Sequence, residues 1–349
     1  MANVGRWHTS THAHKLERWL GADVVVGLQE SMRRWYAGPI PVIVGHEKLQ
    51  IHAGGDVTGQ ISGGSFSSLG DLIAEASAGK SRYYAFQKTG PTGVANVSSS
   101  LWGVGNIPAA GANASNAPGG DAPTDATTGA FPFTNPTNPD TQHFVRGDVQ
   151  GSVGQNTLLL YDRIFQVNKT MNSTATEAVT GVPTRYQSTT GGAQDSAEGN
   201  FLFVEVGGTV LAATAHNWTV CQYTDQSGNA GATLPSLTGR SAAAVRTFDH
   251  AVANNDWFAA LASGDSGVKV LTQMQCSALV ATGVINFVMG HPIAFLPIPL
   301  ANIMTITDGI NTAFNLTRIF DDAALALIEV VRNATTATNY SGLIQSVAG

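Results

Sequence analysis

His8, His12 and His14 have a spacing that would turn His8 and His12 onto one face of a helix, the arrangement from which imidazoles bind zinc. Only Glu17 lies near enough in sequence to complete such a set, so the three read as polar residues of a terminal arm. Asp225, Ser227 and Asn229 around Gly228 have the look of a calcium loop. No bidentate Glu follows and the flanks read as strands, which makes the segment a hairpin turn. Asp256 and Asp265, beside Trp257 and Phe258, have the composition of a glycosidase carboxylate pair between aromatic sugar platforms. Two loop aspartates at such a spacing arise by chance in most proteins. The chain contains no Gly-x-Ser-x-Gly elbow, phosphate-cradling loop, His-Glu-x-x-His helix or paired Cys-x-x-Cys. The sequence therefore predicts no catalytic residue, no cofactor and no metal site, and a protein that is not an enzyme.

The residues that stand out instead are those that make contacts between proteins. Trp19, Trp35 and Tyr36 lie among Arg33 and Arg34, with Lys15, Arg18 and Leu20 close by. Aromatic and Arg side chains are the usual anchors of protein interfaces, because each buries a large area at low entropic cost. This segment reads as an assembly anchor whose removal, over residues 1 to 37, would leave a folded monomer. Asp162 with Arg163, and Arg318 with Asp321 and Asp322, read as interface or inter-strand ion pairs that orient more than they stabilise.

Charged residues make up 12% of the 349 positions, against about 25% in an ordinary soluble domain. A large protein that forgoes surface charge is expected to spend its life covered by neighbours, here copies of itself in a large homo-oligomer. The net charge of −6 excludes a broad nucleic-acid-coating face. No apolar run is long enough for a membrane span, and the start shows no signal peptide. Cys221 and Cys276 cannot make a disulfide framework and read as reduced core residues.

Helical periodicity is confined to the first 37 residues and a short stretch that Ser68 caps and Gly79 stops. Val42 to Ile61 reads as a hairpin with Gly54-Gly55 near its tip. Residues 90–140 are rich in Gly, Ala, Asn and Pro and read as an extended arm with little to bury, so that deleting 108–123 should leave a folded body. After 140, short apolar strands alternate with turn dipeptides such as Gly207-Gly208, Ser227-Gly228 and Asp308-Gly309. The pattern predicts a mainly β protein in three parts: an N-terminal helical and hairpin region (1–89), the arm (90–140), and a β-sandwich or jelly-roll body (141–349).

Five stretches carry a resemblance: Phe66 to Ile73, Lys88 to Val94, Asn156 to Phe165, Thr170 to Tyr186 and His216 to Val220. They resemble structural proteins of tailed phages and related metavirome sequences. The resemblance implies a virion component assembled in a host cytoplasm, first of all a major capsid or coat subunit, together with other virion proteins. A tail, collar or cement protein is the alternative, as is a carbohydrate-binding or depolymerising virion protein using Trp218 and Trp257. The common tailed-phage capsid is α+β with a long spine helix, and the absence of a 20-residue amphipathic pattern departs from it.

Overall fold

The computed structural model describes residues 41–44, 47–51, 57–58, 66, 68–92, 94–188, 196–235, 237–250, 256–310, 316–331 and 336–349. Three strands come first, β1 (Pro41–Val44), β2 (Glu47–Ile51) and β3 (Val57–Thr58). They form an antiparallel meander, so the expected hairpin gains a third strand and Gly54-Gly55 falls between β2 and β3. Helix α1 (Leu69–Glu75) follows, capped by Ser68, whose hydroxyl accepts from the Asp71 amide at 3.2 Å. The chain leaves the next turn at Gly79, at φ 85°, where a Cβ would be strained. The remaining strands are β4 (Ser81–Thr89), β5 (Ser99–Ser100), β6 (Asn106–Ile107), β7 (Gln142–Gly151), β8 (Asn156–Thr170), β9 (Glu177–Ala178) and β10 (Phe201–Val206). After these come β11 (Asn217–Asp225), β12 (Ala232–Thr233), β13 (Leu237–Thr238), β14 (Val268–Cys276), β15 (Val284–Ile298), β16 (Thr305–Asp308), β17 (Arg318–Ile319), β18 (Leu325–Val331) and β19 (Asn339–Ala348).

The expected β-sandwich body is present. Its central sheet runs β10-β15-β8-β18-β5 and is built on the long antiparallel pair β8 and β15. One face of this pair is covered twice. Leu158, Leu160, Leu296 and Ile298 pack with Phe144, Val149 and Ile344 of the six-stranded sheet β16-β7-β19-β4-β6, whose sixth strand, β17, also pairs with β7. Val167, Phe287 and Met289 pack with Trp218, Tyr223 and Leu271 of the sheet β12-β11-β14-β9. Side chains alternate strictly along a strand, so even positions on one half and odd ones on the other could not share a face without an irregularity. Register shifts supply it, with Ile164 the extra residue on β8 and Ile293 the extra one on β15. Among the described residues the helix content is α1 and the wide turn after it, so the α+β capsid alternative is not met.

Two expectations are corrected. β4, assigned to the N-terminal region by sequence, pairs with β19 inside the six-stranded sheet. The 90–140 segment has much to bury: Val97, Trp102 and Ala130 pack on the second face of the central sheet, and Leu101, Phe131 and Phe133 join the cluster under the six-stranded sheet. Its backbone is tied down by Asp121 and Gln166, which exchange amide-to-carbonyl bonds of 2.8 and 2.9 Å. Lys88, 2% exposed, donates to the carbonyls of Val104 at 2.8 Å and Pro108 at 2.6 Å, and burial lowers its pKa to about 8. The composition that looked like an arm is that of a close-fitting cover, in which small residues let backbone approach backbone.

Candidate assembly interface

Trp19, Arg33, Arg34, Trp35 and Tyr36, like the histidines before them, lie outside the described residues. Asp162 and Arg163 are corrected: both are fully buried inside the chain and neither is on its surface. They are not partners either, since neighbours on a strand point to opposite faces. Asp162 meets Arg185, whose Nε and Nη2 donate to the two carboxylate oxygens at 2.8 Å each. Burial pushes the Asp162 carboxyl up, against the pull of Arg185. Arg163 donates to Glu205 at 2.7 Å, to Gln166 at 2.7 Å and to the Tyr161 hydroxyl at 3.1 Å. Its guanidinium lies 4.9 Å from the centre of the Trp102 ring. Burial opposes the charge of Glu205 and the Arg163 guanidinium outweighs it, so this carboxyl stays below its usual range. Arg318, on β17, lies 4.2 Å above the ring of Phe320 and is half-buried.

Asp225, Asp265, Trp218 and the two cysteines are absorbed by structure, while Asp256 stays exposed. Asp225 accepts from the amides of Ser227 and Asn229, both at 2.8 Å, and closes a turn with Gly228 at φ 88°. Asp265 accepts from the Tyr223 hydroxyl at 2.5 Å. Trp218 is buried and donates to Asp249 at 2.7 Å, which removes it as an exposed sugar platform. Cys221 and Cys276 are buried free thiols, and burial pushes both up.

Among the described residues, the outer face of the six-stranded sheet lies on the surface. Pairing places Ile306, Asp148, Leu343 and Ala85 in one row across β16, β7, β19 and β4. Asp308, Arg146, Gln345 and Tyr83 form the row beside it. A third holds Gln150, Ser341, Gln87 and Ile107. The side chains hold one another: Gln150 donates to Ser341 at 3.0 Å, Gln345 to the Tyr83 hydroxyl at 3.2 Å, and Arg146 to Asp148 at 2.7 Å. At the β16 edge the apolar residues are bare, with Leu300 62%, Ile303 51%, Met304 49% and Ile306 56% exposed. Such a face loses little side-chain freedom when covered, and its central charge is already paired. Sequence reasoning marked β16 and β7 as strands but missed this face. It exists only because β4 and β19, widely separated in sequence, lie side by side.

No protein-family model matches the chain, and no curated protein sequence does. Solved structures with partial likeness include one of infectious bursal disease virus, Gt strain, and the VP2 subviral particle of infectious bursal disease virus. Identities are 8% and 10%, each alignment covers 77% of this chain and 81% of the other, and the TM-scores are 0.14 and 0.13. Superposition at that level carries no argument about this chain.

Proposed function

We propose that the chain is a structural subunit of a virus particle, a coat or capsid-type protein that assembles with copies of itself. The observation that carries the reading is the outer face of the six-stranded sheet, with laterally bonded side chains, a self-paired Arg146 and Asp148, and bare Ile303, Met304 and Ile306 at its edge. The scarcity of charge, 12% of residues, is the compositional counterpart of such a face. The mechanism is burial. Repeated interfaces of about 1,600 Å² each accumulate stability around a subunit even when each contact is weak. The resemblance to phage structural proteins supports the virion as its location and other virion proteins as further partners. No catalytic step or cofactor belongs to this reading.

The test is the assembly state of the purified protein, by light scattering after size exclusion and by negative-stain microscopy. Shells, tubes or large rings are expected. A monomer or small oligomer at all concentrations and ionic strengths would overturn the reading.

A further inference from the structure

We infer that His143 is an acid-sensitive latch: on taking up a proton it lifts the cap made by Phe66 and α1 off one end of the six-stranded sheet, while the β8–β15 core stays closed. Pairing places Arg318, His143, Val347 and Ser81 in one row across β17, β7, β19 and β4, which continues the outer face beyond the row of Arg146 and Gln345. This row is covered. Phe66 and Leu72 of α1 pack there with Leu316 and Val347, in a small cluster separate from the cores on the two faces of the central sheet.

His143 lies beneath this cluster, 0% exposed, with the Phe66 ring edge-on at 5.3 Å. Neither of its ring nitrogens reaches a hydrogen-bond partner. A neutral imidazole leaves one donor and one acceptor unmade in such a site, whereas an imidazolium has two donors and a full charge to satisfy. The charged groups around it give no relief. Arg318 stands opposite on β17 and acts against a second positive charge, since like charges directly opposed across strands repel. On its own strand, Arg146 and Asp148 are bonded to each other. On the α1 side, Asp71 lies in the first turn of the helix, and Glu75 is held by Lys80, which also takes Asp140. β19 brings no Asp, Glu, Lys, Arg or His. Burial and Arg318 together outweigh the pull of the Thr141 carbonyl, and the ring stays neutral down to about pH 4.

Relief comes by the shortest route. Lifting the cap exposes Phe66, Leu72, Leu316 and Val347, whereas wetting the ring through the sheet would open the much larger cluster around Phe144, Leu158 and Leu296. A seven-residue helix is not stable away from its support, so a lifted α1 melts and its amides exchange with water. The uncovered strip continues the outer face, so acid changes the face on which the assembly reading rests. The latch itself needs only a single chain.

Amide hydrogen exchange of the full chain, followed by mass spectrometry at pH 7 and pH 5 and corrected for intrinsic rates, tests the latch. Protection over residues 70–76 is expected to fall about twentyfold between the two, the ratio of proton uptake by an open ring at 6.5 and a closed one at about 4. It is expected to stay below the protection of β8 at both. His143→Leu places an apolar side chain in the site and is expected to abolish that fall in α1, while β8 keeps its own pH dependence through His250 and His291. Protection over 70–76 that is the same at pH 7 and pH 5, or that equals that of β8 throughout, overturns the latch with no variant required. So does a fall that persists in His143→Leu.

Discussion

The Arg185 guanidinium meets both carboxylate oxygens of Asp162 at 2.8 Å, 23 residues away in sequence and within the buried middle of the molecule. Asp162 also accepts from the Ala324 amide at 2.9 Å, and Arg185 donates to the Pro123 carbonyl at 3.0 Å. One ion pair therefore joins β8, the segment before β18, the 170–188 strand-and-loop stretch and the covering segment.

Removing one partner leaves the other as an uncompensated buried charge. Arg185→Met is expected to destabilise the fold by about 3–5 kcal/mol. The double variant Asp162→Asn with Arg185→Met is expected to recover part of that loss. Urea unfolding monitored by fluorescence checks both, and a double variant whose loss equals the sum of the two single losses would show the pair to be uncoupled.

The 108–123 segment lies over the Arg163 network, with the Ser115 amide donating to Asp121 at 2.6 Å and the Ala114 amide to Asn286 at 3.3 Å. Its deletion exposes Arg163 and Glu205 and strips Trp102 of its bond to the Ala112 carbonyl at 3.0 Å. The expected product is an unfolded or aggregated protein, read by circular dichroism and sedimentation. A monomer with native strand content would restore the view of this segment as a free arm.

Two buried histidines, His143 and His250, and the half-buried His291 set an acid limit. Burial lowers His143 to about 4, His250 to about 4 and His291 to about 3, below the usual 6.5. A group depressed in the folded state binds its proton more tightly when unfolded. Its contribution is complete above about pH 6.5 and falls as pH drops toward the folded value. At pH 5 the loss is about 2 kcal/mol for each of the buried His143 and His250, from roughly 1.4 kcal/mol per pH unit below 6.5. Denaturant midpoints between pH 8 and 4 should decline through this window, and His143→Leu should make the decline shallower.

His216 runs the other way. Its ring nitrogens face the Thr214 carbonyl at 3.1 Å and Asp249 at 3.1 Å, two acceptors that call for a doubly protonated ring. Burial opposes that charge, but the Asp249 bond outweighs it and the pKa is raised. This contribution is complete below the ordinary value and is lost as pH rises through the raised one. Trp218→Phe removes another donor from the same carboxylate and is expected to destabilise by about 1.5–3 kcal/mol. An unchanged urea midpoint would show that Asp249 finds a replacement donor.

What the sequence determined by itself was local. Alternating apolar residues after 140 made the body β, Ser68 capped α1 and Gly79 ended the turn after it, and Asp225 with Gly228 made a turn, because each of these is settled within a few residues. The tertiary structure decided everything that depends on distant partners. Asp162 and Arg163 read as an interface or inter-strand pair, and only the packed fold sends one to Arg185 and the other, 42 residues away, to Glu205. The extra residues Ile164 and Ile293 keep one face apolar across a change of parity that strand periodicity cannot reveal. The covering role of 90–140 and the outer sheet face likewise rest on pairings such as Tyr83 with Gln345, whose separation along the chain hides them from any local reading.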